Sequence, residues 1–153
     1  MNNLLHNPTH HFLSEKERDT ILSAIKSAEA KTSGEIRIFI ESRCKWTDTI
    51  RRAEEIFVQL KMTKTEFRNA VLIYIAYKDR EFAIFGDNGC VIKFTKSFWK
   101  NTAKQLSFDF FQHQYEEGLL KAVSTVEAEL VTNFPIQSGS KKNELPDEIV
   151  FGN

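Results

Sequence analysis

The sequence predicts an α/β fold in which a small mixed β-sheet carries helices on both faces. Stretches with apolar residues at helical spacing alternate along the chain with three short runs that are typical of β-strands. The first and second runs are separated by a helical stretch, which indicates a parallel pair with a right-handed crossover. The second and third are separated by a short turn, which indicates an antiparallel hairpin. A length of 153 residues fits one domain of this kind.

The first helix is predicted by a capping box in which Ser14 and Glu17 each bond the other's backbone N–H. Apolar residues then recur at helical spacing as far as Gly34, which we expect to end the helix in a left-handed conformation. Residues 1–12 are expected to form a flexible N-terminal segment. The alternating, β-branched run Glu35–Glu41 is the first predicted strand.

A second helix is expected to start near Thr47 or Asp48, with Ile50 as the first residue of its buried face. The run Ala70–Tyr77 is apolar on both faces, as a central strand should be. A short turn then leads to the third strand, Glu81–Phe85.

The remainder of the chain is predicted to be mainly helical. Cys90–Phe94 can add a short strand, and two helices are expected at about Ser97–Gln112 and about Glu116–Asn133. The composition then shifts to Ser, Gly, Lys and Asn, so we expect the folded domain to span 13–135. Residues 136–153 are expected to form a mobile polar tail, with docking through residues 149–151 left open.

The charge balance excludes some classes of function. Lys+Arg and Asp+Glu both number 21, so the chain lacks the basic surplus of a nonspecific nucleic-acid binder and has no general attraction to an anionic membrane. No secretory signal is visible, and the longest apolar run is far shorter than the roughly 20 residues that span a bilayer. We therefore expect a soluble, cytoplasmic protein without direct membrane insertion, in which Cys44 and Cys90 are free thiols.

The predicted topology brings scattered polar residues to one edge of the sheet. The starts of the two parallel strands and the end of the antiparallel third strand should meet there, at Glu35, Asn69 and Asp87. Oxygen-bearing side chains beside glycines, as at Asp87 and Asn88, can wrap a hard cation such as calcium, and Glu35 and Glu66 can add carboxylates. The alternative is a turn that uses Asn-Gly only for its backbone angles.

The same edge carries Arg68, for which two interpretations stay open. With Asn69 beside it, Arg68 can bind a phosphate or a carboxylate. Alternatively it forms an ion pair with Glu66, Glu35 or Asp87. The sequence contains no cysteine followed six residues later by arginine and no Asp-x-Asp pair, so any phosphate hydrolysis would have to be metal-assisted.

Three aromatic residues, Phe108, Phe110 and Phe111, crowd one short stretch of the third predicted helix. A single helix face cannot easily bury all three. They form either a surface patch for a protein partner or a part of the core with a local bend.

An ordered set of motifs between about residues 12 and 150 resembles the TPM domain family, which is named after thylakoid-lumen, photosystem II repair and nematode receptor-modulating members. The motifs are Thr32-Ser33-Gly34-Glu35-Ile36-Arg37-Ile38, Thr65-x-x-Arg68-Asn69-Ala70-Val71-Leu72-Ile73, Phe82-Ala83-Ile84-x-Gly86-Asp87-x-Gly89, Phe98-Trp99, Gly118-Leu119, Phe134-Pro135 and Asn143-Glu144-Leu145-Pro146. The resemblance implies a three-layer α/β/α sandwich and divalent-metal binding, chiefly calcium. It also implies two kinds of activity, since plant lumenal relatives are described as weak acid phosphatases and other members help to assemble membrane complexes.

The chain departs from the family at the expected site. It has Arg68-Asn69-Ala70 where the membrane-anchored branch commonly reads Asp-Asn-Gly, so one expected cation ligand is replaced by a cation. The family site carries over to Asp87, Glu35, Glu66 and Asn69. We therefore expect a TPM-domain module that binds calcium or magnesium at this edge and acts in binding or assembly, with a weak metal-dependent acid phosphatase as the alternative.

Overall fold

The computed structural model describes residues 12–45, 48–136 and 149–152. The expected flexible segment, except for Phe12, and residues 137–148 of the expected tail lie outside the described residues.

Within the described residues the chain forms five helices and four strands. In chain order they are α1 (Glu15–Glu29), β1 (Glu35–Glu41), α2 (Thr49–Gln59), β2 (Ala70–Ala76), β3 (Glu81–Gly86), α3 (Asn88–Lys93), α4 (Phe98–Phe111), α5 (Tyr115–Asn133) and β4 (Ile149–Phe151).

The sheet is mixed and has the strand order β3-β2-β1-β4. β1 runs parallel to β2, and β2 runs antiparallel to β3, as the connections predict. Ile149–Phe151 lies beside β1 as a parallel edge strand, with Ile38 opposite Ile149. The end of the expected tail thus contributes to the sheet.

Helices cover both faces of this sheet. α1, α4 and α5 pack on one face, where the inward side chains of β1 and β2 form the larger core. α2 packs on the other face through Ala53, Ile56 and Phe57 against Leu72 and Tyr74. All seven residues of β2 are buried because both faces are covered. The predicted α/β/α sandwich is confirmed.

The predicted capping signals start two of the helices. Ser14 accepts a hydrogen bond from the Glu17 N–H, and the Glu17 side chain accepts one from the Ser14 N–H, which completes the capping box of α1. The Asp48 side chain accepts hydrogen bonds from the N–H groups of Ile50 and Arg51 at the start of α2.

Three local predictions are wrong. The expected strand at Cys90–Phe94 is mainly helical, because the Asp87 side chain caps α3. The first helix does not end at Gly34: its C-cap is Ala30 in right-handed conformation. Ile50 is 62% exposed, because the buried face of α2 is formed by Arg52, Ala53, Ile56 and Phe57.

The two cysteines are free, as expected, and their surroundings predict different reactivity. Cys90 is fully buried, and this burial raises the pKa of its thiol to about 12, whereas Cys44 is half-buried. Because the thiolate is the reacting form, we expect a maleimide at pH 8 to modify Cys44 in the folded protein and Cys90 only after denaturation. Mass spectrometry of peptides from folded and denatured samples measures this difference, and equal labelling rates in the folded protein would contradict it.

Candidate functional site

The expected edge of the sheet is formed by the starts of β1 and β2 and the end of β3. Glu35 lies opposite Ala70 in the parallel pair, and its N–H donates to the Asn69 carbonyl at 3.3 Å. The Asp87 N–H donates to the Ala70 carbonyl at 3.0 Å. The backbone therefore brings Glu35, Asn69 and Asp87 to the same edge, as the topology predicts.

The Asp87 carboxylate is buried and fully engaged by cationic and polar donors. It is 4% exposed and accepts a hydrogen bond from the Asn88 N–H at 2.8 Å. Arg68 binds it through two parallel bonds, from Nε to Oδ2 at 2.6 Å and from Nη2 to Oδ1 at 2.8 Å. Such a bidentate pair is the strongest geometry open to arginine and a carboxylate. Of the two interpretations of Arg68, the structure thus shows the ion pair, with Asp87 as the partner.

Arg68 and Asp87 differ in how firmly they are held. The Arg68 side chain is 47% exposed, and its backbone has a φ of 51°, in the left-handed region that non-glycine residues seldom adopt. Hydrogen bonding to Asp87 raises the pKa of Arg68, so this side chain keeps its charge. The fixed component of the site is therefore the buried carboxylate, whereas the arginine covers it from the solvent side.

Asn69 contributes a buried oxygen that has no hydrogen-bond partner among the described residues. The residue is completely buried, its backbone N–H donates to Thr65 Oγ1 at 3.2 Å, and its Nδ2 donates to Ser33 Oγ at 3.1 Å. In this orientation Oδ1 has no donor among the described residues. A buried polar atom of this kind costs about 1–3 kcal/mol unless a ligand, an ion or water satisfies it.

The other predicted site residues differ in how exposed they are. Glu35 is buried at the start of β1, whereas Glu66 and Asn88 are exposed. Among the described residues no three His, Cys, Asp or Glu side chains lie close enough together to hold a metal ion. The donors at this edge are thus a mixture of carboxylate and amide oxygens. Sequence reasoning missed Ser33 and Thr65, whose hydroxyls orient Asn69, although both belong to the quoted motifs.

A second buried polar cluster was not predicted and lies toward the other end of the sheet. Glu41, at the end of β1, accepts hydrogen bonds from Arg52 Nε at 2.8 Å and from Arg52 Nη2 at 2.9 Å. The Tyr74 hydroxyl also donates to Glu41, and burial raises the pKa of this tyrosine. All three residues are at most 4% exposed, so the cluster joins β1, α2 and β2 and has a structural role.

The aromatic stretch at residues 108–111 lies partly in the core and partly on the surface. Phe110 is 7% exposed and belongs to the core, whereas Phe108 and Phe111 are 57% and 69% exposed. α4 runs through all three positions as one helix, so no bend is needed.

Comparisons with known proteins agree with this fold. The profile of the TPM domain family matches residues 7–129. The chain is similar to the BA42 protein from the psychrophilic bacterium Bizionia argentinensis, whose NMR structure shares 35% sequence identity over 93% of this chain and 97% of that chain, with a TM-score of 0.83. It also shares the fold of the N-terminal domain of the cg2496 protein from Corynebacterium glutamicum, with 14% identity, coverage of 86% of this chain and 81% of that chain, and a TM-score of 0.63.

No functionally curated protein matches the chain at a significant level. None of the helices in the described ranges combines the length and apolarity that crossing a membrane requires. The family profile, which spans most of the chain, and the similarity to BA42 lead to one conclusion: this chain belongs to the TPM domain family.

Proposed function

We propose that this TPM-domain protein is a binding module whose ligand is a divalent cation, calcium or magnesium, at the edge formed by Glu35, Asn69 and Asp87. The observation that carries the proposal is the buried Asn69 Oδ1, which lacks a partner among the described residues and belongs to the same edge as the buried Asp87 carboxylate. Hard cations of this class prefer carboxylate and amide oxygens. In this proposal Glu66 and Asn88, which are exposed, supply further oxygens from the surface.

Arg68 acts in this proposal as a tethered cation that a metal ion must displace. Its guanidinium neutralises Asp87 in this structure, and its side chain, which is 47% exposed, can swing into solvent without disturbing the core. The exchange replaces the singly charged guanidinium beside a buried carboxylate by a divalent cation. Affinity is expected to be weaker than in relatives that have an aspartate at this position, because the displaced pair is itself strong.

Replacing Arg68 by aspartate tests this proposal most directly. Arg68→Asp removes the competing cation and supplies a further carboxylate, and aspartate tolerates the left-handed φ of 51° at this position. We expect calcium affinity to rise by at least about tenfold, since affinity follows the ligand charge count. Amide-NMR titration with calcium, and then with magnesium, measures the affinity through saturable shifts centred on Glu35, Asn69 and Asp87.

The chain offers a matched control at Arg80. This arginine also has a left-handed backbone, with a φ of 55°, but it follows the opposite end of β2. Arg80→Asp adds the same charge away from the site and should leave calcium affinity unchanged. Asp87→Asn retains an acceptor for α3 but removes the charge, and it should abolish the response. Unchanged calcium affinity in Asp87→Asn would refute the proposed placement.

The alternative function, weak metal-dependent acid phosphatase activity, would use the same edge. Arg68, once released from Asp87, is the group able to bind a phosphate oxygen pair. Titration with inorganic phosphate distinguishes the cation-binding module from the phosphatase. Amide shifts near Arg68 that appear only after calcium has been added support a joint cation–phosphate site. Shifts with phosphate alone support an anion site in place of the cation site.

A further inference from the structure

Three large apolar side chains are exposed beside the candidate site. Phe67 is 49% exposed, and Val91 and Ile92 of α3 are 55% and 81% exposed. The two segments that carry them touch, since the Gly89 N–H donates to the Arg68 carbonyl at 2.9 Å. Ile92 follows Gly89 by one helical turn, so it lies on the side of α3 where this contact is made. Phe67, Val91 and Ile92 thus belong to one apolar surface, the Phe67–Ile92 surface.

The shape of this surface limits what can cover it. Phe67 is carried by a fixed turn, in which the Arg68 N–H donates to the Thr65 carbonyl at 3.3 Å. Ile92, at 81% exposure, protrudes from the protein, so a partner must yield around it. The headgroup region of a lipid bilayer yields in this way, because apolar side chains can enter it to a depth of about 5–10 Å.

The chain around the Phe67–Ile92 surface is basic. Residues 61–68 and 88–97 are all described, and they contain five cationic side chains but only one carboxylate, Glu66. The cations are Lys61, Lys64, Arg68, Lys93 and Lys96. All five are exposed residues. The zero net charge of the whole chain therefore conceals a local surplus of positive charge.

Carboxylates of the neighbouring elements do not cancel this surplus. Asp87 is buried and bound by Arg68. Glu129 of α5 accepts from Thr95 Oγ1 at 3.5 Å and from Asn133 Nδ2 at 3.2 Å. Counting both with Glu66 still leaves five cations against three carboxylates. The next acidic residue of α5 toward its start, Glu127, is paired with a lysine of its own, Lys31, at 3.0 Å.

The kinds of residue at this surface favour lipid over protein as the partner. The centres of protein–protein interfaces are depleted in lysine and enriched in arginine, tyrosine and tryptophan. Four of the five cations here are lysines, and the one arginine is held by Asp87. Surfaces that lie on membranes combine apolar side chains, which enter the interface, with lysines, which are attracted by anionic headgroups.

We propose that the Phe67–Ile92 surface docks this protein on an anionic phospholipid surface. Phe67 and Ile92 enter the headgroup region, and Lys64 and Lys96, which flank them in the sequence, contact the lipid phosphates. The contact is peripheral and reversible, since it uses a few side chains and no spanning helix. It does not depend on a cation at Asp87.

Flotation of the full-length protein with lipid vesicles tests this proposal. The vesicles contain equal parts of phosphatidylcholine and phosphatidylglycerol, and EDTA in every sample keeps the test independent of the proposed cation site. At an ionic strength of about 0.01 M, where the Debye length is about 30 Å, we expect the bound fraction to rise with lipid concentration. At about 0.15 M, where it is about 8 Å, partitioning should be about fivefold weaker or more.

Two variants separate the apolar and the electrostatic contributions. Ile92→Ser should weaken partitioning by about fivefold or more, because an apolar side chain no longer leaves water. Lys96→Glu should weaken it by about fivefold or more, because an attraction to the anionic surface becomes a repulsion.

The chain offers a matched control for each variant at the other end of the sheet. Ile50 is 62% exposed and follows Thr49, whose hydroxyl donates to Glu81 at the start of β3. Lys78 is exposed in the β2–β3 hairpin. Ile50→Ser and Lys78→Glu should each change partitioning by less than about twofold, because these residues stay away from the lipid. All four replaced side chains are exposed, so the variants should fold, and their amide spectra verify this.

Four results would overturn the proposal. The first is the absence of binding at millimolar lipid and low ionic strength. Equal binding to vesicles of phosphatidylcholine alone would refute the role of charge, and equal losses in Ile92→Ser and Ile50→Ser would refute the location. Amide shifts at Phe67 and Ile92 with a glutamate-rich peptide, without any binding to vesicles, would assign the surface to an acidic protein partner.

Discussion

Arg52→Met is expected to lower the free energy of unfolding by about 3–5 kcal/mol, the usual effect of removing one partner of a buried ion pair. Arg52 is 4% exposed and gives two hydrogen bonds to Glu41, which is 1% exposed. Without the guanidinium, a carboxylate remains in the interior between β1, α2 and β2, where the Tyr74 hydroxyl still donates to it. Urea unfolding followed by circular dichroism measures the loss as a change in the midpoint at constant slope.

The neighbouring arginine supplies the control for this prediction. Arg51 precedes Arg52 in α2 but is exposed, so Arg51→Met should cost less than about 1 kcal/mol. The double variant Glu41→Gln/Arg52→Met leaves no fully buried charge without its partner, because Glu55, the other partner of Arg52, is 34% exposed, and it should be more stable than Arg52→Met alone. If Arg51→Met and Arg52→Met lowered the free energy of unfolding equally, the buried Glu41–Arg52 ion pair would not be the source of the loss.

Much of the fold could be predicted because local signals and apolar patterns agree along the chain. The capping box at Ser14 fixes the start of α1, and the fully apolar run of β2 indicates a strand covered on both faces. The short turn before β3 and the helix before β2 then determine strand directions. These strand directions place Glu35, Asn69 and Asp87 at one edge of the sheet.

The errors lie where long-range contacts decide the local structure. α3 has only six residues, too few for periodicity to identify, and it depends on the Asp87 cap and on packing against the chain at residues 67–68. The Glu41–Arg52 pair joins residues 11 positions apart and Tyr74 joins them from 33 positions away, so no spacing rule reveals the cluster. The side-chain orientation that leaves Asn69 Oδ1 without a partner likewise depends on Ser33, 36 positions earlier.

Gly89 has a role in the structure that differs from the one that its sequence context indicates. In the Asp-Asn-Gly run it was expected to provide backbone angles for a turn or a cation loop. In the structure it lies in α3, where a Cβ atom would stand 2.4 Å from the Phe67 carbonyl oxygen and 2.7 Å from the Arg68 carbonyl oxygen. Its N–H donates to the Arg68 carbonyl at 2.9 Å. What this position requires is therefore close approach of two backbone segments.

Gly89→Ala is accordingly expected to destabilise the protein by about 1–3 kcal/mol, the typical cost of overpacking, because backbone atoms cannot rotate away. The sign of the stability change is informative. In an unobstructed helix, replacing glycine by alanine would stabilise the protein by about 0.5–1 kcal/mol, because alanine loses less backbone entropy on folding. Gly34→Ala is the control: its closest contact would be the end of the Leu130 side chain at 2.6 Å, which can move, so a smaller loss is expected. Urea unfolding of both variants provides the measurement.

Relief of the clash must separate α3 from residues 67–68 and so draw Arg68 away from Asp87. A Gly89→Ala protein that is more stable than the original would show that α3 and residues 67–68 are not in close contact. The contact that holds Arg68 beside Asp87 would then be refuted.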